Sequence, residues 1–596
     1  MVVMLAVGMW GLDRGGMWGD ESVTFQVARR TVPQIWRLLH DVDAVHGLYY
    51  LFMHAVLTVH PGEVVLRLPS VCAATAAAGL VAALGVRLAG PRVGLGAGVL
   101  YAITPMTGHY AQEGRSYALV AAGVAGATLL LVRAVDAGST RAWWPYGTVL
   151  APTCVLHELA VPVLAAHAVT LALLRVPRRV WAGWGRAAGA VALLVLPLVW
   201  VSQGQAAQVA WLEPPGWDRV ERLARNFSPG PTGPVFWATL LLMAVGLRER
   251  RTAVVALPLL LVPPGILMTV SQVRPLYHDR YVLYALAGAS LLVATGAGRV
   301  GRSVGRVWVG EGRVRLCGRR VRVRGRRGWF HAWRVWGGAR RVGCVGWLTR
   351  VGGRQARFGG RRTQVRARPT RFDGRRTRVP VRRMRFDGRR VRVGGCQVRV
   401  LLGVTGVLAV AGTFVSQLPV HRQDRSAAHR PDNLAVVSAL ALRQMRPGDP
   451  VLFVPSVGRL AALAYPKGFQ QVRDIALRES APRSGTLWGL EADPGELRRR
   501  LASVDRVWVV AARTALDPRH APPDPVERTK LAVLAECFTV REEHVRKERV
   551  RDDVLLRLYV RRRPGDAPGR PADALPPVVS AGTPALGARL SPRPAP

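Results

Sequence analysis

The chain has 596 residues, 49% of them hydrophobic, with a formal net charge of +47 and a pI of about 11.7. The apolar content is uneven: residues 64 to 297 hold repeated apolar runs of bilayer-spanning length, roughly 17–25 residues each, which excludes a soluble multidomain protein and indicates a polytopic membrane protein. So basic a chain would ordinarily point to nucleic acid, but the window Arg299–Arg399 holds 32 Arg, no Lys and three acids (Glu311, Asp373, Asp387), hence +29 of the +47. The remainder is only mildly basic, as cytoplasmic loops are, and nucleic acid is not expected as a partner. Of six cysteines, Cys72 and Cys154 lie in apolar spans. Cys317, Cys344 and Cys396 lie in the Arg-rich window without metal-ligand spacing, and Cys537 stands alone. No disulfide framework and no zinc site are expected.

In chain order, residues 1–12 are apolar but short for a span of about 20 residues. They carry no basic n-region or small-residue cleavage site, and read as the outer end of a first transmembrane helix whose start precedes the reading frame. An outer loop, 13–66, follows. Within it Thr31–Leu39 and Leu48–Val59 read as helices along the membrane surface, with Trp36, Tyr49 and Tyr50 suited to the interface. Candidate spans come at 68–86, 93–108, 116–133, 143–157, 159–174, 187–203, 233–247, 252–270, 280–297 and 401–418.

Every second connection is basic: Arg87 and Arg92; Arg133 and Arg141; Arg175, Arg178, Arg179 and Arg186; Arg248, Arg250 and Arg251. The positive-inside rule makes these cytoplasmic. Loop 13–66, residues 109–115, the turn at His157-Glu158, 204–232 and 271–279 then face outward, and so does the region after Leu418. The expected fold is an α-helical polytopic membrane protein of about 11 transmembrane helices, multi-pass in the plasma membrane, with a small extracytoplasmic α/β domain at its C-terminus. Its parts are a transmembrane module (1–297), an Arg-rich insert (298–400), a last helix (401–418), the α/β domain (430–563) and a disordered Pro/Ala/Gly-rich tail (564–596).

The Arg-rich insert contains near-repeats, Arg371-Phe372-Asp373-Gly374-Arg375-Arg376 and Arg385-Phe386-Asp387-Gly388-Arg389-Arg390. Like-charge repulsion and glycine argue for disorder. It reads as an expanded repeat in a short cytoplasmic loop; the alternative is contact with anionic lipid headgroups or nucleic acid. In the α/β domain, Asn433–Met445 reads as a helix, Arg498–Leu501 as a helix end, and Val451–Val454, Val507–Val510 and Val554–Val560 as strands.

The conspicuous polar residues sit in the outward loops. The first offers Asp20, Glu21, Asp41, Asp43, His46, Tyr49 and Tyr50. The second runs His109-Tyr110-Ala111-Gln112-Glu113-Gly114-Arg115-Ser116-Tyr117, the third holds His157 and Glu158, and the last holds Arg274, Tyr277, His278, Asp279, Arg280 and Tyr281. Ionisable residues at span ends are functional candidates. An arginine grips phosphate, and a carboxylate in hydrogen-bond reach serves as a general base. The plainer alternatives are that Asp20 and Glu21 only favour a helix start, and that Glu113 and Arg115 pair locally. No cofactor is called for, although the residues leave a divalent metal open.

These residues resemble the GT-C superfamily of integral membrane glycosyltransferases, near the family of protein O-mannosyltransferases and the aminoarabinose lipid A transferase (glycosyltransferase family 39-like). The resemblance rests on Trp18-Gly19-Asp20-Glu21, Asp43-Ala44-Val45-His46-Gly47-Leu48-Tyr49-Tyr50, Arg67-Leu68-Pro69-Ser70, Tyr110-Ala111-Gln112-Glu113-Gly114-Arg115-Ser116-Tyr117-Ala118-Leu119 and Arg280-Tyr281, in order over about residues 10–297. The His46-Gly47 pair departs from the family's His-Pro-Pro, and the Arg-rich insert is not a family feature. The resemblance implies inverting transfer of a hexose or pentose, mannose among them, from a polyprenyl-phosphate donor to a glycan, lipid or protein hydroxyl at the outer face. It implies Asp20 as general base, Glu21 as its supporting neighbour, and Glu113 as an assisting catalytic group. Arg115 and Arg280 would hold the lipid phosphate, and His46, Tyr50, Gln112, Tyr117, His157 and Tyr281 would contact substrate. The rival readings are a transporter or flippase of lipid-linked glycans, which would carry charges nearer mid-membrane, and an inactive membrane scaffold.

Overall fold

A computed structural model of the chain describes residues 1–209, 211–230, 233–309, 388–426, 434–517, 522–546 and 554–563. The expectations of disorder for most of the Arg-rich insert and for the tail lie outside these residues. The chain divides into a unit formed by residues 1–303 with 402–596 and a second unit, 304–401.

The first unit opens with helices α1 (Val2–Met9), α2 (Gly19–Ala28), α3 (Val32–Asp41) and α4 (Gly47–Leu57). The segment read as a loop is therefore mostly helical. Thr31 caps α3 with a reciprocal box to Gln34, and a proline occupies its first turn, a strong local start signal. Trp36 stays exposed on α3 while Ile35 and Leu38 are buried, as suits a helix lying on a surface.

The bundle follows as α5 (Glu63–Ala89), α6 (Pro91–Ile103), α7 (Pro105–Tyr110), α8 (Tyr117–Ala137), α9 (Trp143–Leu156), α10 (Pro162–Leu174), α11 (Arg178–Gly204), α12 (Trp217–Asn226), α13 (Gly233–Gly246), α14 (Arg250–Val270), α15 (Leu286–Val309) and α16 (Gly388–Asp424). Among the described residues, six segments are long and apolar enough to cross a membrane: Glu63–Ala89, Tyr117–Ala137, Arg178–Gly204, Arg250–Val270, Asp279–Val304 and Gly403–Asp424. The spans expected at 93–108, 143–157, 159–174 and 233–247 are shorter helices. The first is cut at Thr104, whose extended backbone (φ −66, ψ 127) is the conformation a following proline imposes.

The bundle is fastened by small residues. A Cβ on Gly94 would stand 2.5 Å from the Ala82 carbonyl, and one on Gly85 would stand 2.8 Å from the Gly94 Cα. Helices α5 and α6 thus approach backbone to backbone, the packing favoured where the surroundings are as apolar as the side chains.

Residues 434–563 fold as a three-layer α/β/α arrangement. Helices α17 (Leu434–Gln444), α18 (Leu460–Ala464), α19 (Ala481–Ser484), α20 (Pro494–Ala502) and α21 (Pro525–Cys537) accompany strands β1 (Pro450–Val454), β2 (Arg473–Asp474), β3 (Leu477–Glu479), β4 (Leu490–Glu491), β5 (Arg506–Ala512), β6 (Phe538–Arg546) and β7 (Val554–Arg561). The main sheet runs β2-β1-β5-β7-β6, with β2, β1 and β5 parallel, β7 antiparallel to β5, and β6 antiparallel to β7. One face packs on α20 and α21 through Leu497, Leu501 and Leu534, the other on α17 and α18 through Val437, Ala441 and Ala461. Both faces are covered, so β1 and β5 are near-continuous apolar runs.

Candidate active site

Asp20 and Glu21 lie in the first turn of α2, after Trp18 at its N-cap. Acids there suit the helix dipole, but each carboxylate has a specific partner, so the helix-start reading does not account for them. Glu21 is fully buried. Arg67 on α5 grips it with two bonds, Nε to Oε1 and Nη2 to Oε2, both 2.8 Å, and the Gly114 amide donates to Oε1 at 2.9 Å. The rest of the Arg67 guanidinium donates to carbonyls of the preceding loop, Leu12 at 3.0 Å and Gly16 at 3.2 Å. A buried charge persists when paired and hydrogen-bonded, and here the pairing ties loop 12–16, α2 and loop 111–116 to one guanidinium.

Asp20 instead meets Arg280, whose Nη1 donates to its Oδ2 at 3.0 Å. The Asp20 side chain keeps 32% exposure and that of Arg280 11%, so this carboxylate stands at the open edge of the cluster. Four rings surround the guanidinium carbon of Arg280: Tyr281 at 5.4 Å, Trp18 and Tyr117 at 5.7 Å, and Trp211 at 6.0 Å. Such rings favour a cation at their faces. Arg280 Nε is buried without a hydrogen-bond partner.

Arg115, also buried, donates from Nη2 to His46 Nε2 at 2.6 Å and from Nη1 to Thr24 Oγ1 at 3.3 Å. Since an arginine only donates, His46 Nε2 accepts and its proton sits on Nδ1, which is buried and unpartnered. Glu113 is 3% exposed and its Oε2 has no partner. Burial raises the pKa of its carboxyl against the opposing pull of His109 and Arg280, with Asp20 and Glu21 adding to the rise. His157 is lowered to about 3, by burial first and then by Arg115 and Arg280, so its ring is neutral at ordinary pH; its Nε2 is buried and unpartnered too. The rings of His157, Tyr281 and Tyr117 form one wall, with His157 5.0 Å from Tyr281 and 5.7 Å from Tyr117. The Tyr50 hydroxyl donates a hydrogen bond to Asp43 Oδ2.

The structure therefore gathers Asp20, Glu21, His46, Tyr50, Glu113, Arg115, Tyr117, His157, Arg280 and Tyr281 from four loops. Gln112 is the exception. Its amide nitrogen donates to the Gly8 and Trp10 carbonyls, both at 2.8 Å, so it braces the end of α1. Several partners were not singled out from sequence. Arg67 was visible only as part of a motif, and Trp18 and Trp211 carried no charge to flag them. Asp279 turns aside to Asn226 and Tyr277. Among the described residues no group of three or more His, Cys, Asp and Glu is placed to hold a metal ion.

No family model and no characterised protein matches the chain by sequence. Solved structures do match by shape. The crystal structure of ArnT from Cupriavidus metallidurans in the apo state superposes with a TM-score of 0.52 at 11% identity, over 93% of this chain and 96% of that one. The chain has the fold of ArnT. The same protein bound to undecaprenyl phosphate gives 0.51 at 12% identity over the same shares. At 93% coverage the ArnT likeness takes in the helical bundle together with the C-terminal sheet. The arabinosyltransferase EmbB from Mycobacterium smegmatis, at 18% identity over 52% of this chain and 32% of its own, has a TM-score of 0.32 and carries no weight.

Proposed function

We propose that the chain is a membrane glycosyltransferase that moves a sugar from a polyprenyl-phosphate donor to an acceptor hydroxyl at the outer face of the plasma membrane, with inversion. The observation that carries this is the Asp20–Arg280 pair at the mouth of an otherwise buried cluster. There a candidate base and a candidate phosphate ligand hold one another at 3.0 Å. A donor phosphate draws Arg280, and with it Arg115, onto its oxygens, which frees Asp20. Asp20 Oδ then takes the proton of the acceptor hydroxyl, the acceptor oxygen bonds to the anomeric carbon, and the bond from that carbon to phosphate breaks. The two arginines stabilise the departing charge in a dry site, where such interactions count most. Glu113, whose carboxyl burial shifts toward the protonated form, and the Nδ1–H of His46 face the sugar or phosphate oxygens. The ArnT structure with undecaprenyl phosphate supports a lipid donor of this class. In this reading α1, α6, α9, α10 and α13 also cross the bilayer beside the six long segments, eleven crossings in all, and the C-terminal domain lies outside.

Replacing Asp20 by Asn tests the assignment. Transfer from the lipid-linked sugars of native membranes should fall by about 10²–10⁴-fold, the usual contribution of a general base. Full activity in that variant rejects Asp20 as the base.

A further inference from the structure

The loop that carries Asp20 is held from a distance of more than four hundred residues. Tyr465, just past α18, accepts a hydrogen bond at its hydroxyl from the Met17 amide at 2.6 Å and donates one to Glu63 Oε1. Glu63 lies one helical turn before Arg67 on α5, with Oε2 4.0 Å from Nη1, and Arg67 holds Glu21. Met17 immediately precedes Trp18, which caps α2 and stacks near Arg280. One phenol thus touches both routes to the carboxylate pair: the backbone leading into α2, and the ion-pair relay behind it.

Two further contacts run between the same partners. Gln26, in the last turn of α2, and Arg30, just past its end, donate to the Leu487 and Thr486 carbonyls at 2.7 and 2.9 Å. Met17, Phe25 and Ala28 share an apolar cluster with Ala464. Tyr465 is itself fixed to its domain: its carbonyl accepts from Ser438 Oγ at 2.7 Å. The same serine accepts from the Gly468 amide, at a spot where a Cβ on Gly468 would meet the Ser438 carbonyl at 2.1 Å.

We infer that Tyr465 is a positioning residue for the reaction, and that the C-terminal α/β domain sets where Asp20 and Glu21 stand. This rests on the reading of Asp20 as the base. It also requires the domain and the Asp20 loop to share one side of the membrane. Tyr465 touches no reacting atom. It acts through Met17 and Glu63, and displacement of a base by about 1 Å costs on the order of 10²-fold in rate.

The experiment uses the full-length protein in lipid nanodiscs. Hydrogen exchange is followed in Y465F, E63Q, D20N and the unaltered chain, alongside turnover of lipid-linked sugars extracted from native membranes and binding of undecaprenyl phosphate. In Y465F the amides of Met17–Ser22 should exchange about tenfold faster or more, as local opening becomes easier, while those of β1 and β5 keep their rates. Turnover should drop at least about tenfold, with binding of undecaprenyl phosphate changed by less than about twofold, because Arg115 and Arg280 are intact. A merely structural tyrosine would loosen β1 and β5 as well. Should Y465F do so, E63Q, which leaves the domain untouched, carries the same expectation. Unchanged exchange at Met17–Ser22 in both variants, or unchanged turnover, overturns the inference. Retained turnover in D20N would instead overturn the base assignment, while the exchange data still report whether Tyr465 holds the loop.

Discussion

His157 stands 6.0 Å from His46 and 5.0 Å from Tyr281, ring to ring, and is 5% exposed. Both nearby arginines, Arg115 and Arg280, disfavour its charged form, and burial disfavours it more, so the folded ring takes a proton only near pH 3. In the unfolded chain it takes one near 6.5. Between those values the unfolded state binds more protons, so His157 makes folding stability fall as pH is lowered from 6.5 toward 3, by at most about 1.4 kcal/mol per pH unit. His157→Gln binds no proton in either state. The stability gap between the unaltered protein and H157Q, measured by thermal unfolding in detergent, should stay level from pH 8 to 7 and shrink steadily from pH 6.5 to 4. A gap constant over the whole range means that His157 is not held neutral. At this scale the sequence was partly readable. Asp20, Glu113, Arg115 and Arg280 are charged residues at span ends and declare themselves. The division of labour between Asp20 and its neighbour came only as an implication of the family resemblance; its physical cause was hidden, because it depends on Arg67 reaching back from α5, and a motif does not say which carboxylate a guanidinium will take.

Among elements, the connection of α5 to α6 shows what sets helix position here. Gly90 turns the chain with φ +101, and Gly85, Gly94 and Gly98 then face backbone or short side chains at under 3 Å from an added Cβ. Gly94→Leu should separate the two helices. Overpacking alone costs about 1–3 kcal/mol, and here backbone atoms are the obstacle, so the yield of monodisperse protein in detergent should collapse. Gly189→Leu on α11, where an added Cβ meets nothing within 4 Å, should leave that yield unchanged; equal losses would count against close packing as the cause. Apolar stretches located most of these helices, but not their ends. The span read at 93–108 ran through Pro105, although a proline constrains the residue before it. The kink at Val282 (φ −113, ψ 15), inside the 3-10 segment Asp279–Ala285 that precedes α15, had no marker in the sequence. Helix α2 was read only as a helix start at Asp20 and Glu21, because it mixes polar and apolar residues; most of it is buried against loops and the C-terminal domain, a tertiary cause that local periodicity cannot report.

For the molecule as a whole, the question is what the Arg-rich insert contributes. The charged groups proposed for catalysis, Asp20, Glu21, Glu113, Arg115 and Arg280, with Arg67 and Tyr465 behind them, all belong to the unit formed by residues 1–303 and 402–596. Among the described residues, the hydrogen bonds that join them close within that unit. The insert supplies +29 of the net charge, and its near-repeats carry the signature of an expanded loop. The tie that matters across long sequence distance runs instead from Tyr465 to Met17, invisible in the sequence because a lone tyrosine after a short helix has no pattern. Replacing residues 310–387 by a short Gly/Ser linker, which behaves as flexible coil, should therefore leave sugar transfer within about twofold once expression is matched. If electrostatic attraction of anionic lipid by the insert served the reaction, at about 1 kcal/mol per basic residue near a membrane surface, the deletion would lower activity more than tenfold in membranes rich in anionic lipid and far less in neutral ones. A loss of that kind would assign the insert a role that the geometry of the site does not require.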